Sequence, residues 1–298
     1  MPRNAMIEHI SRQANGTAVG IWGRFLLRSA FQPIFAFVDG KLKIAAYEGL
    51  IRPFEAGNPV SPGAFFGSIG AMDRLRVETL TRTLHVLNAD GHIGAEASLF
   101  LNFDPSVFTD WAIADNALKD LRLVLHEALI DPTRVVCELT EKKSGSDEAV
   151  YSFVQALRNN RFRIAVDDYG ADDSDIDRIR DIRPDIVKFD AAWITRLMES
   201  DPGAALLAAM VDKFKSMGIK TVFEGLEEPW QLDLADRCGV DMVQGFILAR
   251  PKLVDGDEPP IPQANDVAPE PEMTPALHVT VRPTPKYGRP FGRRLSAL

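Results

Sequence analysis

Short apolar runs alternate with stretches of helical period along most of the chain. Eight runs read as strands: "FQPIFAFV" from Phe31, "KLKIAAYEGLIR" from Lys41, "ASLFLNF" from Ala97, "RVVCELTE" from Arg134, "FRIAVDD" from Phe162, "DIVKF" from Asp185, "KTVFEG" from Lys220 and "DMVQGFIL" from Asp241. They are short and rich in the β-branched and aromatic residues that fit a pleated surface. Helical patterns lie between most of them: "MDRLRVETLTRTLHVLNA", "DEAVYSFVQALRNN", "GAALLAAMVDKFKSMG" and "PWQLDLADRCG". The first two strands are joined by "VDGK", whose Asp39-Gly40 pair suits a tight hairpin. The other strands follow a strand-then-helix rhythm, which calls for parallel strands and right-handed crossovers. The expected architecture is α/β, a (β/α)8-type barrel whose first strand is antiparallel.

The pattern stops near residue 255. Ten of the 20 prolines fall from Pro251 onward, in runs such as "DEPPIPQANDVAPEPEMTP". Proline at that density removes backbone donors and blocks helix, so a tail with little regular structure is expected. The tail is acidic first (Asp257, Glu258, Glu270, Glu272) and basic at its end (Arg282, Lys286, Arg293, Arg294). A solvated tail is the plain reading, and a docking segment for a protein partner the sharper one. The first 20 residues carry no clear pattern. The expected division is an N-terminal extension over 1–20, a barrel domain over 21–254 and a Pro-rich, disordered tail over 255–298.

Composition narrows the class of function. The 298 residues are 46% hydrophobic and 26% charged, an ordinary globular balance suited to one large α/β domain or two small ones. A net charge of −8 offers no sequence-wide basic surface for duplex nucleic acid. Cys137 and Cys238 form no CxxC pair, no Cys/His cluster and no disulfide framework, and read as buried thiols. No apolar run reaches membrane-spanning length; "GIWGRFLLRSAFQPIFAFV" is interrupted by Arg24 and Arg28 and does not resemble a signal peptide. The expected location is the cytoplasm.

The candidate chemistry lies where the strands end. Glu48 ends "KIAAYE", Asn102 ends "SLFLN", Glu138 and Glu141 close "VVCELTE", and Asp167 and Asp168 close "RIAVDD". Lys188 and Asp190 close "DIVKFD", Glu224 ends "TVFE", and Gln244 ends "DMVQ". One acid at a strand end often only caps the next helix. In a parallel barrel, however, all these ends converge on one face. Gathered there, the acids repel one another and raise each other's pKa values. Divalent cations relieve this, and carboxylate and amide oxygens suit the hard ions Mg²⁺, Mn²⁺ or Ca²⁺. The absence of histidine from the set argues against zinc. So many acids exceed the needs of one ion, and a pair about 4 Å apart would clamp a phosphodiester and activate water. Lys188 would orient that water or neutralise developing charge.

These blocks resemble a known family. "YEGLIRP" is similar to the signature of EAL domains, bacterial cyclic di-GMP phosphodiesterases, with Gly49 in place of the usual alanine. "FQPIF", "LFLNF", "CELTE", "VDDYG", "VKFD", "FEGLEE" and "VQGFILARP" follow in the family's order, over residues 30 to 251. The resemblance implies a modified TIM-type barrel with one antiparallel strand. It also implies metal-dependent hydrolysis of cyclic di-GMP to linear pGpG at a two-metal site of Mg²⁺ or Mn²⁺. By position Glu48, Asn102, Glu138, Asp167, Asp168 and Glu224 resemble the metal ligands. Lys188 and Gln244 resemble the residues around the catalytic water, with Glu48 also counted as catalytic. Gln32 and Arg52 resemble contacts to guanine and phosphate, Asp190 resembles an acid near the second metal and the substrate, and Glu141 resembles the anchor of the loop after the fifth strand. Relatives commonly dimerise, so a homodimer is expected.

Two departures bear on activity. After "DDYG" family members continue with a Thr-Gly-Tyr-Ser-Ser type of loop that couples dimerisation to metal binding; here Ala171 to Arg178 read "ADDSDIDR". Asp172, Asp173 and Asp175 add charge beside an anionic ligand, which should weaken its binding or alter the loop. Gly49 adds backbone freedom beside Glu48. The metal-ligand and lysine set is nevertheless intact, so the leading expectation is an active phosphodiesterase. The alternative is a weak or inactive cyclic di-GMP receptor acting through a partner. A scaffold binding neither metal nor nucleotide fits poorly, because unpaired buried acids are costly.

Overall fold

The computed structural model describes residues 8–108, 111–140, 147–171 and 176–255. All of them belong to one compact unit. In chain order the N-terminal elements are β1 (Ile10–Arg12), β2 (Ala18–Trp22), β3 (Phe25–Val38), β4 (Lys41–Glu55), β5 (Asn58–Pro59), α1 (Pro62–Gly67) and α2 (Ala71–Ala89). Then come β6 (Ser98–Phe103), α3 (Trp111–Glu127), β7 (Val135–Thr140), α4 (Asp147–Asn159), β8 (Arg163–Tyr169), α5 (Ile176–Ile182), β9 (Ile186–Phe189) and α6 (Ala191–Met198). The last are α7 (Asp201–Ser216), β10 (Lys220–Phe223), α8 (Pro229–Cys238), β11 (Met242–Val243) and β12 (Lys252–Leu253).

Eight strands close a barrel in the order β3-β11-β10-β9-β8-β7-β6-β4, with β4 returning to pair β3. β3 is antiparallel to both neighbours, β4 and β11. The remaining neighbours pair in parallel. The expected barrel with one antiparallel strand is therefore present. The β3–β4 turn places Asp39 at φ 52° and Gly40 at φ 70°. A tight hairpin with native twist needs left-handed backbone at both central residues, and Asp-Gly supplies it at little cost.

The N-terminal region is more ordered than its pattern suggests. β3 starts at Phe25 rather than Phe31, and β1 and β2 form a hairpin on its first residues, with Ile21 opposite Leu26. Distant residues hold this hairpin. The buried Asn88 amide on α2 accepts from Ala18 N (2.7 Å) and donates to Ala18 O (2.8 Å). Leu27, Phe65, Val77, Leu80 and Leu84 close a second apolar cluster around it. Helices α3, α5 and α6 also occupy stretches where the pattern assigns none. The two cysteines are buried free thiols. Among the described residues no helix is long and apolar enough to cross a membrane. The Pro-rich stretch from residue 256 lies outside the described residues.

The barrel interior carries one apolar residue from each strand: Ile34, Ala46, Phe100, Val136, Ala165, Ile186, Val222 and Met242. Strand side chains alternate, so the next inward position lies two residues further along. Towards the C-terminal ends of the parallel strands those positions are Glu48, Asn102, Glu138, Asp167, Lys188, Glu224 and Gln244. β3 runs the other way, and its corresponding residue is Gln32. A ring of polar residues thus sits on an apolar plug at the mouth of the barrel.

Candidate functional site

Lys188 stands at the centre of this ring. Its side chain is 1% exposed, and Nζ lies 2.5 Å from Glu138 Oε1, 2.7 Å from Glu224 Oε1, 3.1 Å from Asp167 Oδ1 and 3.7 Å from Glu48 Oε2. Burial alone would lower the lysine pKa, but Asp167, Glu138, Glu224 and Glu48 together raise it well above its usual value. Glu138, fully buried, has its carboxyl pushed well above the usual range by burial, against the pull of Lys188. Burial likewise pushes Glu224 up to about 8. Gln244 donates from Nε2 to Glu48 Oε2 (2.9 Å), which fixes that carboxylate.

Asp167 and Asp168 both reach the mouth because β8 is irregular. Its pairing with β9 shifts register between Val166 and Tyr169, and Asp168 adopts φ 58°. An added strand residue in left-handed backbone re-aims a side chain that alternation would send to the opposite face. One oxygen each from Asp167, Asp168 and Glu224 then lies within 4.8 Å of the others.

The other expected residues divide. Asn102 pairs in register with Glu138, is exposed at the rim, and also lines a neighbouring cleft. Gln32 pairs with Glu48 across β3–β4, and its Nε2 donates to Ala249 O (3.2 Å) in the segment after β11. Arg52 is buried, its pKa lowered by burial to about 10, and its Nη1 donates to Ile51 O (3.1 Å). Asp190 caps a helix: its Oδ1 accepts from Trp193 N (2.7 Å) at the start of α6. Glu141 and the Asp172–Asp175 segment lie outside the described residues.

Gly49 has a steric role beyond backbone freedom. An added Cβ would meet the buried His85 ring, 2.9 Å from Cγ. The cleft beside it holds about 460 Å³ and is lined by Arg52, Phe66, Arg74, Glu78, Arg82 and Asn102, among others. It opens because β4 and β6 pair only as far as Glu48 and Phe100 and then part. Pattern reading gave no sign of Arg82, which is buried against Glu78 (3.3 Å) and donates to Asn102 O (3.3 Å). An arginine in an amphipathic helix looks like a solvated position from sequence alone.

The donor set fits a hard divalent cation. Four carboxylates share one ammonium, a fifth stands beside them, and Glu138 Oε2 has no hydrogen-bond partner among the described residues. Oxygen donors of this kind, with no soft ligand among them, suit Mg²⁺, Mn²⁺ or Ca²⁺.

Known proteins resemble this chain in fold and sequence. Cyclic di-GMP phosphodiesterase RocR of Pseudomonas aeruginosa is 26% identical over 183 residues, covering 60% of this chain and 45% of RocR. The EAL-domain containing protein YkuI of Bacillus subtilis is 28% identical over 226 residues, covering 74% of this chain and 54% of YkuI. The calcium/cyclic di-GMP complex of Klebsiella pneumoniae BlrP1 superposes with a TM-score of 0.63 at 26% identity, over 76% of this chain and 56% of that one. The chain thus spans about half the length of these relatives. Residues 24–251 match the EAL domain family, a match that runs through every barrel strand from β3 to β11, and the chain belongs to that family.

Proposed function

We propose that the protein is a metal-dependent phosphodiesterase that hydrolyses cyclic di-GMP to linear pGpG. The observation that carries this reading is the excess of carboxylate around Lys188, four acids within 3.7 Å of one ammonium. Glu48, Asn102, Glu138, Asp167, Asp168 and Glu224 would hold two Mg²⁺ or Mn²⁺ ions. Metal held by these residues would supply Lewis acidity to the phosphodiester and to water. In the reaction a water oxygen bonds to phosphorus, one P–O ester bond breaks, and the leaving hydroxyl oxygen takes a proton. Lys188 supplies positive charge and a donor N–H beside the developing oxyanion. Gln244 holds Glu48 in one orientation through its 2.9 Å hydrogen bond. Arg52, buried where it lines the neighbouring cleft, has a planar guanidinium that suits both a phosphate and a guanine edge.

Purified protein incubated with cyclic di-GMP and Mn²⁺ or Mg²⁺ should release pGpG, detected by chromatography, and chelation should stop it. Release no greater than from a Glu48→Ala control would overturn the catalytic reading. Calorimetric binding of cyclic di-GMP without turnover would identify a receptor instead.

A further inference from the structure

The way Asp168 is turned into the mouth points to a residue outside the acidic ring. Its left-handed backbone costs a non-glycine residue about 1 kcal/mol, and such conformations persist only where the surroundings over-determine them. Two residues on, Gly170 has φ 102°, and a Cβ there would fall 2.5 Å from Trp193 Cδ2. The indole of Trp193 therefore fills the space that any larger residue at 170 would need. The indole is itself held on several sides. It stacks on Phe189 (centroids 5.9 Å, interplanar 20°) and meets Tyr169 edge-on (6.4 Å, 86°). Its backbone N–H is capped by Asp190 Oδ1. Asp190 N donates to Tyr169 O (3.0 Å), and Ala171 N donates back to Asp168 O (3.1 Å). The turn from Asp168 to Ala171 is thus pinned to the start of α6 through one flat ring and the backbone N–H of Asp190.

We propose that Trp193 is a positioning residue for the candidate metal centre. Its indole, wedged against Gly170, keeps the Asp168 carboxylate beside Asp167 and Glu224. The inference rests on the metal-dependent reading above, and its test separates the two. Mn²⁺ binding to full-length wild type, Trp193→Ala and Trp193→Phe is measured without nucleotide by paramagnetic resonance of free Mn²⁺, alongside each protein's metal-free melting temperature. Trp193→Ala should bind Mn²⁺ more weakly by about tenfold or more, the usual penalty for losing a group that orients ligands. Trp193→Phe, which keeps a flat ring, should recover most of the affinity. A purely packing role would lower the melting temperature of Trp193→Ala and leave the Mn²⁺ affinity of the folded protein unchanged; that result overturns the proposal alone. If Trp193→Ala does not fold, Trp193→Leu, bulky but not flat, carries the same expectation. Failure of the wild type to bind Mn²⁺ overturns the metal reading and this inference with it.

Discussion

Gly49 and His85 occupy complementary space: a Cβ on Gly49 would lie 2.9 Å from His85 Cγ and 3.1 Å from Cβ and Cδ2. The ring cannot retreat freely. Its Nδ1 is 3.0 Å from Ser29 Oγ, which also receives Asn88 Nδ2 (3.1 Å). Glycine at this point of the signature is therefore the partner of a buried histidine on α2. Gly49→Ala should destabilise the protein by about 1–3 kcal/mol, the usual cost of overpacking. In a His85→Ala background the same change should cost much less, since the clash is gone. Thermal melts of the four proteins of this double-mutant cycle measure the coupling. Equal costs in both backgrounds would show that the two residues do not compete for space.

Lys188 compensates four carboxylates, and its removal separates charge balance from chemistry. Lys188→Met leaves buried acids without their cation, which costs about 3–5 kcal/mol when one partner of a buried pair is lost. The metal-free melting temperature should fall accordingly. Mn²⁺ should then raise it by more than in the wild type, because the ion now supplies all of the compensating charge. Hydrolysis should be absent at every Mn²⁺ concentration. An Mn²⁺-induced shift equal to that of the wild type would mean that Lys188 does not share the acids with the ion.

The acidic ring was legible because a polar residue ends each of the apolar strands that build it. Polar residues close successive apolar runs, and in the parallel barrel that the strand-then-helix rhythm implies, those ends converge on one face. The Asp39-Gly40 hairpin was legible because its backbone demands left-handed residues. The β1–β2 hairpin was not, since it is held by the Asn88 amide on Ala18 and by side chains of α1 and α2, contacts between residues far apart in sequence. Trp193 was hidden for a similar reason. The pattern assigns no helix to its stretch, and only its juxtaposition with Gly170 shows what it meets. Asp168 was found as an acid, but the register shift that brings it to the same side as Asp167 is a property of β8 against β9 and leaves no local signature.

Asp190 lends itself to a test that distinguishes capping from chemistry. Its Oδ1 accepts from Trp193 N, and asparagine caps helices about as well as aspartate. Asp190→Asn should keep the melting temperature, whereas Asp190→Ala should lose about 0.5–2 kcal/mol. If the carboxylate also acts on metal or substrate, Asp190→Asn loses turnover while remaining as stable as the wild type. Full turnover in Asp190→Asn would reduce Asp190 to a structural cap.

Glu224 contributes to the pH dependence. Its carboxyl is raised by burial to about 8 in the folded, metal-free protein, against about 4.5 when unfolded. A raised carboxyl favours folding most when both states are protonated. Its contribution is full below about pH 4.5 and is lost as pH climbs through 8, because the unfolded chain ionises freely and the folded one resists. The metal-free protein should therefore lose on the order of a few kcal/mol between those limits. A bound divalent cation needs the ionised form, so Mn²⁺ affinity should rise as pH approaches 8, with proton release on binding. Calorimetry in two buffers of different ionisation enthalpy counts that proton. Glu224→Gln should flatten the pH dependence of the metal-free melting temperature over this range and reduce the proton count. An unchanged proton count in Glu224→Gln would assign the titration to Glu138 or to another member of the ring.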